Sequence, residues 1–425
     1  MNTCTSYLLI GNSVATVAAA EAIRTRDQEG KITMVSDEPH HVYSHPQLPD
    51  FLKGIREIPR MRYRDDTFYE KHQINTIFGK RAVGLDTETK TVLLQEDETI
   101  SYDRLLIAVG GRPFVPPIQG LAGRDAVFTF TTLDHAIALA SAAPSAHRAL
   151  VIGGGLIGLK AAESLQALGI ETTVVELADR ILGTVLDDRA SEMIQRRLEQ
   201  TGLRIITGNL VTEVVGTGRK VGRARLRDGE EIETDLIVVA IGVRPNLELV
   251  QDTPIQTNMG VIVDRHMRTN VPDVYAAGDV AEAYDLLLGR NRPIPILPLA
   301  YEQGEVAGLN MAGVPKEYAG GFPMNSLTLN HLPFISMGIT DPQENGYEIL
   351  EHYQPEREVY KKIVLQDNRV VGATFVNAID RAGIFTGLIK GQVDVSAFKH
   401  AFLEENFGWA YMPKEYVEEK LRKRA

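Results

Sequence analysis

The chain has 425 residues, of which 44% are apolar and 24% charged, and this length and composition predict a globular protein of about two to four domains with a substantial core. A net charge of -11 argues against nucleic acid as a partner. The single cysteine, Cys4, excludes an internal disulfide and a Cys-x-x-Cys redox centre, and no stretch reaches the ~20 apolar residues of a membrane helix, so we expect a cytoplasmic protein with no membrane partner.

Two segments share the order of strand, small-residue turn and alanine-rich helix. In the first, an apolar strand at 7–10 leads into Gly11 and Ser13, and a helical pattern runs to about residue 25. Because the turn interrupts the apolar start and no basic segment precedes it, we interpret this region as folded structure rather than as a signal peptide. A further strand is predicted at 32–35.

The second copy of the pattern lies at 149–175. An apolar strand at 149–152 leads into the glycine-rich turn 153–158, a helix runs to about residue 168, and a strand follows at 172–175. This order is the opening unit of a dinucleotide-binding, or Rossmann-type, fold. The chain therefore carries that unit twice.

The two turns differ in how well they match the G-x-G-x-x-G phosphate pattern. Glycine lets a pyrophosphate approach the backbone N–H groups at a helix N-terminus. In the first turn only Gly11 remains, with Ser13 and Thr16 at the other glycine positions, so the signal is weak by itself. The second turn matches in full, and the nucleotide contacts expected from it are Gly153, Gly155, Leu156, Ile157 and Gly158.

Glu176 ends the second strand of the second unit, 23 residues after Gly153. A carboxylate there accepts hydrogen bonds from ribose hydroxyls and repels a 2′-phosphate, which favours NADH over NADPH. Arg180 is close enough in sequence to weaken this preference. The first unit offers three candidates for the ribose contact: Ser36, Asp37 and Glu38.

Two later strands are predicted at 104–109 and 235–241, and each ends in a glycine turn followed by an Arg-Pro pair. Proline breaks the pattern at these points, and the prolines at 113, 116 and 117 are consistent with a crossing between domains.

After about residue 320 the pattern changes. Residues 358–365 and 369–376 predict paired strands joined at 366–368, and a helix is predicted near 381–390. A polar tail follows. This region predicts a third domain with mixed helix and strand content.

Residues 269–280 have the sequence Thr-Asn-Val-Pro-Asp-Val-Tyr-Ala-Ala-Gly-Asp-Val. Following two dinucleotide-binding units, the segment resembles the second FAD fingerprint of the two-dinucleotide-binding flavoprotein superfamily, whose best-known members are the pyridine-nucleotide disulfide oxidoreductases. The resemblance implies that Gly278 and Asp279 contact FAD. It also implies that a helix beginning near Leu299 and Ala300 lies beneath the flavin pyrimidine, where its N-terminus stabilises negative charge.

The resemblance covers residues 5 to about 320. It implies an α/β fold with two Rossmann-type, glutathione reductase-like domains for FAD and NAD, to which the chain adds an α+β C-terminal domain. The predicted boundaries are 1–112 and 249–322 for the FAD-binding domain, 113–248 for the NAD-binding domain and 323–425 for the C-terminal domain.

Residues 38–48 resemble the corresponding segment of the rubredoxin, ferredoxin and nitrite reductase-type branch of the superfamily. Members with thiol or peroxide chemistry carry a reactive cysteine in this region. This chain has none between 34 and 52, which argues against such chemistry. His45 and Thr131 stand where arginines are usual, which implies looser or different FAD contacts.

The expected contacts follow from the turn chemistry and the resemblance. For FAD they are Gly11, Ser13, Ala15, Ser36, Asp37, His45, Pro46, Ala82, Ala108, Val109, Gly110, Gly278, Asp279, Leu299 and Ala300. For NAD they are the second turn, Glu176, Ile241 and Gly242. No metal site is predicted, because the histidines at 40, 41 and 45 lack a cysteine or a suitably spaced carboxylate to complete one.

A reversal of charge is expected beside the flavin. Related enzymes place a lysine and a glutamate there, whereas the matching positions in this chain are Asp50 and Lys160. A pair that exchanges signs keeps its attraction, so we hypothesise a catalytic ion pair between Lys160 and Asp50. The alternative is that both are ordinary solvated residues.

The C-terminal region has two interpretations. Phe407, Trp409 and Tyr411 anchor the tail or, as the weaker alternative, form an electron path. The tail 418–425 is a solvated helix end or, again as the weaker alternative, a docking patch for an acidic redox protein.

These observations predict an FAD-dependent NADH oxidoreductase that stacks the nicotinamide on the flavin. Its expected partners are NADH and a redox protein of the iron–sulfur, ferredoxin or rubredoxin type, in a homodimer or a heteromeric complex. An NADH oxidase or small-molecule acceptor reductase is one alternative, and a non-catalytic flavin-binding subunit is another.

Overall fold

The computed structural model describes residues 4–414 and 417. Within this part of the chain, no helix is both long and apolar enough to cross a bilayer. The chain divides into two compact units. The first contains the chain up to Pro116, Phe128–Ser145 and Val239–Gly321, and the second contains Pro117–Val127, Ala146–Val238 and the described chain from Phe322 onward.

This division differs from the predicted linear boundaries in two places. Residues 128–145 and 239–248, predicted to lie in the NAD-binding domain, belong to the first unit. Residues from Phe322 onward share the second unit with the predicted NAD-binding segments. The predicted functional boundaries themselves stay predictions.

A five-stranded parallel sheet forms the centre of the first unit, in the order Val274–Ala276, Arg104–Ile107, Ser6–Ile10, Lys31–Ser36 and Ile74–Phe78. Its strands are near-continuous apolar runs, as expected for a parallel sheet buried on both faces. The predicted strands at 7–10, 32–35 and 104–109 are confirmed, although the last one ends at Ile107.

Two helices cross closely in the first unit, Val14–Arg24 and Leu297–Met311. A Cβ atom at Gly304 would lie 2.1 Å from the Ala15 carbonyl oxygen, and one at Gly308 would lie 2.4 Å from that of Ala19. Only glycine permits this approach. The second half of Leu297–Met311 therefore packs directly on the first half of Val14–Arg24.

The remaining elements of the first unit are smaller. The two Arg-Pro segments pair antiparallel as Gly111–Pro113 and Val243–Pro245. Two three-stranded sheets contain Ala82–Asp86, Thr91–Leu94 and Thr99–Ser101, and Val261–Ile262, Ala281–Asp285 and Arg290–Arg292. The other α-helices are Leu48–Leu52, Phe68–Lys71 and Leu133–Ala142.

The second unit repeats the order of strand, glycine turn and helix that is typical of dinucleotide-binding folds. Its first sheet has the order Arg204–Ile206, Glu171–Val175, Arg148–Ile152, Leu236–Val239 and Val127–Phe128. The helix Leu156–Ala167 follows the glycine turn, as predicted, and the amphipathic helix Asp188–Glu199 follows later. A small antiparallel sheet contains Val211–Val215, Arg223–Leu226 and Glu231–Glu233.

The C-terminal sheet is antiparallel, in the order Met324–Leu329, Leu332–Gly338, Arg369–Val376, Val359–Gln366 and Glu348–Gln354. The predicted hairpin is confirmed. Its turn residues Asp367 and Asn368 both have positive φ, 47° and 55°, as a two-residue hairpin turn requires. The predicted helix is also confirmed, as Ala382–Lys390.

An aromatic cluster closes the C-terminal part. Phe407 is 4% exposed and contacts Phe385 and Phe402, with ring centroids 5.6 Å and 5.0 Å away. Trp409 and Tyr411 are much more exposed. The packing of Phe407 agrees with the predicted anchoring role, while the tail at 418–425 lies outside the described residues.

A buried polar cluster holds the C-terminal sheet to the rest of the second unit. Lys362 Nζ lies 2.8 Å from Asp187 Oδ2, and both side chains are 6% exposed. Tyr360 donates its hydroxyl to the same carboxylate at 2.7 Å, and Asp187 also caps the helix Asp188–Glu199. Because each buried polar group has a partner, this contact is specific as well as strong.

Candidate dinucleotide sites

The first turn begins with a glycine that no other residue could replace. Gly11 has φ of 121°, and a Cβ atom there would lie 2.2 Å from the Ala108 carbonyl oxygen. Its N–H donates to Val35 at 2.7 Å, and the Ala108 N–H donates to Ile10 at 2.8 Å. These bonds bring Gly11 and Ala108, two predicted FAD contacts, to the same edge of the sheet.

Ser13 and Thr16 replace the other two glycines and close the turn with a local hydrogen bond. The Ser13 N–H donates to Thr16 Oγ1 at 3.1 Å, and the Thr16 hydroxyl donates to the Ser13 carbonyl at 2.8 Å. Thr16 is fully buried. The turn thus keeps its shape with one glycine, but it commits one backbone N–H group that a glycine-rich turn would leave free.

Three predicted FAD contacts from distant parts of the sequence converge beside this turn. A Cβ atom on Gly278 would lie 3.4 Å from Ala15 Cβ and 3.7 Å from Ala300 Cβ. Gly278 itself has φ of 78°, and its N–H donates to Gln303 Oε1 at 2.9 Å. Small side chains therefore surround Gly278, which is buried, and allow these three segments to pack closely.

Asp279 follows in the same turn and is a carboxylate in need of a partner. It is partly buried, and among the described residues it has no hydrogen-bond or ion-pair partner. Burial raises its pKa to about 6. A ligand hydroxyl that donates to this carboxylate would satisfy it, and the ribityl chain of FAD supplies hydroxyls of this kind.

The three candidates for the FAD ribose contact, at the end of the strand Lys31–Ser36, have different surroundings. Gly11 bonds to Val35 as Gly153 bonds to Val175, so Ser36 is the structural equivalent of Glu176. Asp37 is exposed. Glu38 accepts a hydrogen bond from the Tyr43 hydroxyl at 2.7 Å, and burial raises the pKa of Glu38.

The segment from His40 to Leu48 passes close to the first turn. Asn12, inside the turn, donates its amide to the His40 carbonyl and accepts from the Tyr69 hydroxyl. His45 has its ring 4.6 Å from that of Tyr43, and burial lowers its pKa to about 4. His45 is therefore neutral at pH 7 and cannot replace the charge of the arginine usual at this position.

The other predicted FAD contacts are placed as follows. Pro46 is the middle residue of the short 3-10 turn His45–Gln47, Ala82 begins a strand of a small antiparallel sheet, and Leu299 lies in the first turn of the helix Leu297–Met311. Val109 and Gly110 follow the strand Arg104–Ile107, and the Gly110 carbonyl accepts from Asn246. Thr131 accepts or donates a hydrogen bond with His135.

The second turn is open where a phosphate would approach. Gly153 has φ of 115° and donates to Val175 at 2.8 Å, as in the first turn. A Cβ atom on Gly155 would meet nothing within 4 Å. Gly155 caps the helix Leu156–Ala167 without any side-chain hydrogen bond, so the first N–H groups, near Leu156, Ile157 and Gly158, remain available to an anion.

Glu176 is placed against this turn. Its carboxylate accepts the Gly154 N–H at 2.6 Å and the Ala178 N–H at 2.8 Å. A carboxylate has about four acceptor sites, so two remain for ribose hydroxyls. The predicted contacts Ile241 and Gly242 lie instead in the first unit, where Gly242 accepts from Phe114.

Each member of the hypothesised charge pair has a partner within its own unit. Lys160 pairs with Glu163 and donates to the Thr328 carbonyl at 3.1 Å. Asp50 pairs with Lys53 at 3.1 Å. The pairing of Lys160 with Asp50 stays a prediction.

Sequence reasoning missed two residues of the first site. Gln303 is 3% exposed and fixes Gly278, and Asn12 ties the turn to the segment after His40. The signal for Gln303 was a polar residue on the apolar face of a helix. Among residues 4–414 and 417, no group of three or more histidine, cysteine, aspartate or glutamate residues could hold a metal ion.

The family comparison covers most of the chain. Residues 5–304 match the family described as pyridine nucleotide-disulphide oxidoreductase, and residues 323–393 match the rubredoxin NAD+ reductase C-terminal domain. Proteins of this family bind FAD and NAD(H). The two glycine turns, each with the residues packed around it, form two cradles that fit these groups. The predicted cofactors, fold class and oxidoreductase class are confirmed.

Individual relatives and one solved structure extend over nearly the whole chain. Nitrite reductase [NAD(P)H] of Bacillus subtilis is 33% identical over 92% of this chain and 48% of its own length. The epsilon subunit of NADH-dependent phenylglyoxylate dehydrogenase of Aromatoleum evansii is 32% identical over 94% of both. The covalent putidaredoxin reductase–putidaredoxin complex matches at 25% identity with a TM-score of 0.85, over 92% of this chain and 94% of the other.

The chain spans about half the length of some of these curated relatives, such as the nitrite reductase. The family match, however, extends over more than half of this chain. The chain therefore belongs to the pyridine nucleotide-disulphide oxidoreductase family.

Proposed function

We propose that this protein is an FAD-dependent NADH oxidoreductase that transfers electrons between NAD(H) and a one-electron carrier of the iron–sulfur, ferredoxin or rubredoxin type. The observation that carries the proposal is the presence of two different dinucleotide cradles. One presents the unpartnered Asp279 beside small residues, and the other presents an open glycine turn beside Glu176.

The chain's own residues bind and orient. The N–H groups at the start of Leu156–Ala167 meet the pyrophosphate of NADH, and Glu176 accepts from its ribose. Asp279 accepts from the ribityl hydroxyls, and the N-terminus of Leu297–Met311 stabilises negative charge. FAD, when bound, accepts two electrons together and releases them singly, which connects a hydride donor to a one-electron partner.

The cysteine content supports this acceptor class over thiol chemistry. Cys4 is exposed and donates to the Glu29 carbonyl, outside the segment 34–52 where family members with thiol chemistry carry their cysteine. A route through a protein thiol, such as disulfide or peroxide reduction, lacks its nucleophile. Direct oxidation of NADH by oxygen is the rival reaction.

The partner is proposed to be a separate protein or subunit. Two of the relatives are named as parts of assemblies, one as a dehydrogenase subunit and one as a reductase in a covalent complex with putidaredoxin. We propose that this chain likewise works in a homodimer or a heteromeric complex, in the cytoplasm.

Lys160 is proposed to assist flavin reduction through the charge pair with Asp50. The pair would require both side chains to leave their present partners, Glu163 and Lys53. Replacing Lys160 by alanine should slow flavin reduction by NADH and shift the flavin potential, with Lys71→Ala, whose side chain is exposed and pairs with Asp65, as a surface control. An unchanged rate and potential would reject the role.

Anaerobic addition of NADH to the flavin-loaded protein tests the proposal. We expect the flavin absorbance to bleach as soon as NADH is mixed with the protein. Turnover is then compared with oxygen and with a purified rubredoxin or ferredoxin as acceptor. Faster turnover with oxygen would favour an NADH oxidase, and a flavin that NADH does not bleach would indicate a non-catalytic flavin-binding subunit.

A further inference from the structure

Arg180 belongs to a segment that packs against the second turn. Two hydrogen bonds join the turn to the segment that contains this arginine: Gly154 donates to Glu176 at 2.6 Å, and Leu182 donates to the Gly154 carbonyl at 2.9 Å. Arg180 is two residues from Leu182. A guanidinium here is within the region where the adenosine ribose of a dinucleotide is expected, given the proposed function of this turn.

The guanidinium of Arg180 is already engaged by two carboxylates. Its two terminal nitrogens bond to Asp188 and to Asp341, the latter at 2.7 Å. Its Nε is buried and has no hydrogen-bond partner among the described residues. Both terminal nitrogens, which a phosphate would need for a two-point contact, therefore already donate to protein carboxylates.

The two carboxylates do not hold the arginine equally. The Asp188 side chain is 87% exposed, so its pair with Arg180 is weakened by water and salt. Asp341 is 26% exposed and Arg180 24%, so this pair is better shielded. Asp341 comes from the C-terminal part, just after the strand Leu332–Gly338.

The local charge also opposes a second phosphate. Asp188 and Asp341 pair with Arg180, and Asp179 and Glu176 lie within four residues of it in the sequence. A 2′-phosphate adds about two negative charges and must compete with these carboxylates for the guanidinium. Neutralising Asp341 would both lower the negative charge and release one side of the guanidinium.

We propose that Asp341 is a specificity-determining residue that favours NADH over NADPH by holding Arg180 away from the 2′-phosphate. The C-terminal sheet thereby takes part in the choice of coenzyme, although it supplies no residue of the glycine turn. This inference rests on the proposed function of the second turn as the NAD(H) site.

The test measures binding rather than turnover. The full-length, flavin-loaded protein is titrated by calorimetry with 5′-AMP and with adenosine 2′,5′-bisphosphate, and the ratio of the two dissociation constants is compared. We expect Asp341→Asn to improve the ratio for the 2′-phosphorylated probe by about fivefold. The double variant Asp341→Asn, Arg180→Ala should lose this gain.

Three further variants make the result specific. Glu358→Gln breaks the ion pair of Glu358 with Arg197, another contact of the C-terminal sheet with the same unit, and should leave the ratio unchanged. Asp341→Ser repeats the measurement with a different side chain if the asparagine variant does not fold. Arg180→Lys alone, which keeps the positive charge but removes the planar fork, should leave the ratio of the parent protein unchanged.

Each outcome has a distinct meaning. If Arg180→Lys alone weakens the 2′-phosphorylated probe, the arginine already binds it through its planar fork and the inference is wrong. If both probes bind the parent protein but neither Asp341 variant shifts their ratio, the inference is likewise overturned while the nucleotide site stands. If neither probe nor NADH binds, it is the proposed function of the turn that fails.

Discussion

The two nucleotide turns have the same first residue and the same backbone, yet they are completed differently. Gly11 and Gly153 have φ of 121° and 115°, and each donates to the next strand at 2.7 Å or 2.8 Å. Beyond this point the first turn is closed by Ser13 and Thr16, whereas the second keeps Gly155 open. Strand-to-helix geometry thus requires the first glycine, whereas ligand access distinguishes the second position, which is Ser13 in one turn and Gly155 in the other.

The carboxylates of the two sites also differ in origin. Glu176 comes from the strand end beside its own turn and already accepts two backbone N–H groups. Asp279 comes from a segment more than 260 residues beyond the first turn, and among the described residues it has no partner. The first site therefore depends on tertiary packing, and the second on local structure.

The largest effect is expected for Gly11→Ala. The new Cβ would overlap the Ala108 carbonyl oxygen at 2.2 Å, and φ of 121° is strained for any residue with a side chain. Unfolding free energy should fall by about 3 kcal/mol or more, and FAD should be lost. Denaturant unfolding and flavin content measure both. Gly54→Ala, which shares a positive φ but has open space, separates strain from overlap.

Gly155→Ala should have the opposite pattern of effects, because it should weaken ligand binding and leave stability almost unchanged. Its Cβ meets no protein atom within 4 Å, so stability should change by less than about 0.5 kcal/mol. The methyl group would occupy the phosphate path, and NADH affinity should fall by about tenfold or more. Titration of the flavin-loaded protein measures this, with Gly383→Ala as an open-space control.

Unchanged NADH affinity in Gly155→Ala, with a folded protein, would show that no pyrophosphate lies against this turn.

Asp279→Asn and Glu176→Gln should change stability with opposite signs. Burial raises the Asp279 pKa from 3.8 to about 6, so the folded, flavin-free protein binds this proton more tightly than the unfolded chain. Its stability is therefore highest at low pH and declines as pH rises from about 4 to 6, by about 2 kcal/mol. Asp279→Asn should remove this decline while weakening FAD about tenfold.

Glu176→Gln should instead destabilise the protein by about 1 kcal/mol, because it removes a charged acceptor from two backbone N–H groups. Unfolding of flavin-free protein between pH 4 and 8 checks both variants. Asp97→Asn, in an exposed loop, is the control. A flavin-free Asp279→Asn variant with the same pH dependence as the parent would contradict the account of an unpartnered carboxylate.

The smallest effect is expected for Thr16→Val. It keeps the volume but removes the hydroxyl that accepts from Ser13, which should cost about 1 kcal/mol. Thr16→Ser should retain most of the stability because it keeps the hydroxyl. Thermal unfolding compares the two, and equal stability would mean that the local hydrogen bond does not hold the first turn closed.

The elements that could be predicted from the sequence are those determined by neighbouring residues in the chain. Both turns, the flanking strands and the hairpin at Asp367 and Asn368 follow from periodicity and turn chemistry. Resemblance to a family extended this to Gly278 and Asp279. The convergence of Ala15, Gly278 and Ala300 then gave the structural reason for these small residues.

Contacts between distant segments were not predictable in this way. Nothing in the local pattern indicates that Gly304 and Gly308 pack on the first helix, that Gln303 fixes Gly278, or that Asp341 pairs with Arg180. The same holds for Ile241 and Gly242, which the contacts assign to the first unit. Side-chain pairing across hundreds of residues depends on the packed structure rather than on spacing.

The central claim is that one chain holds two different dinucleotides in two separate cradles. Calorimetric titration of the flavin-loaded protein with NAD+ tests it most directly. The account predicts one NAD+ bound per chain with the flavin retained, and loss of this binding in Gly155→Ala with the flavin still in place. Displacement of FAD by NAD+, or equal loss of both ligands in that variant, would contradict it.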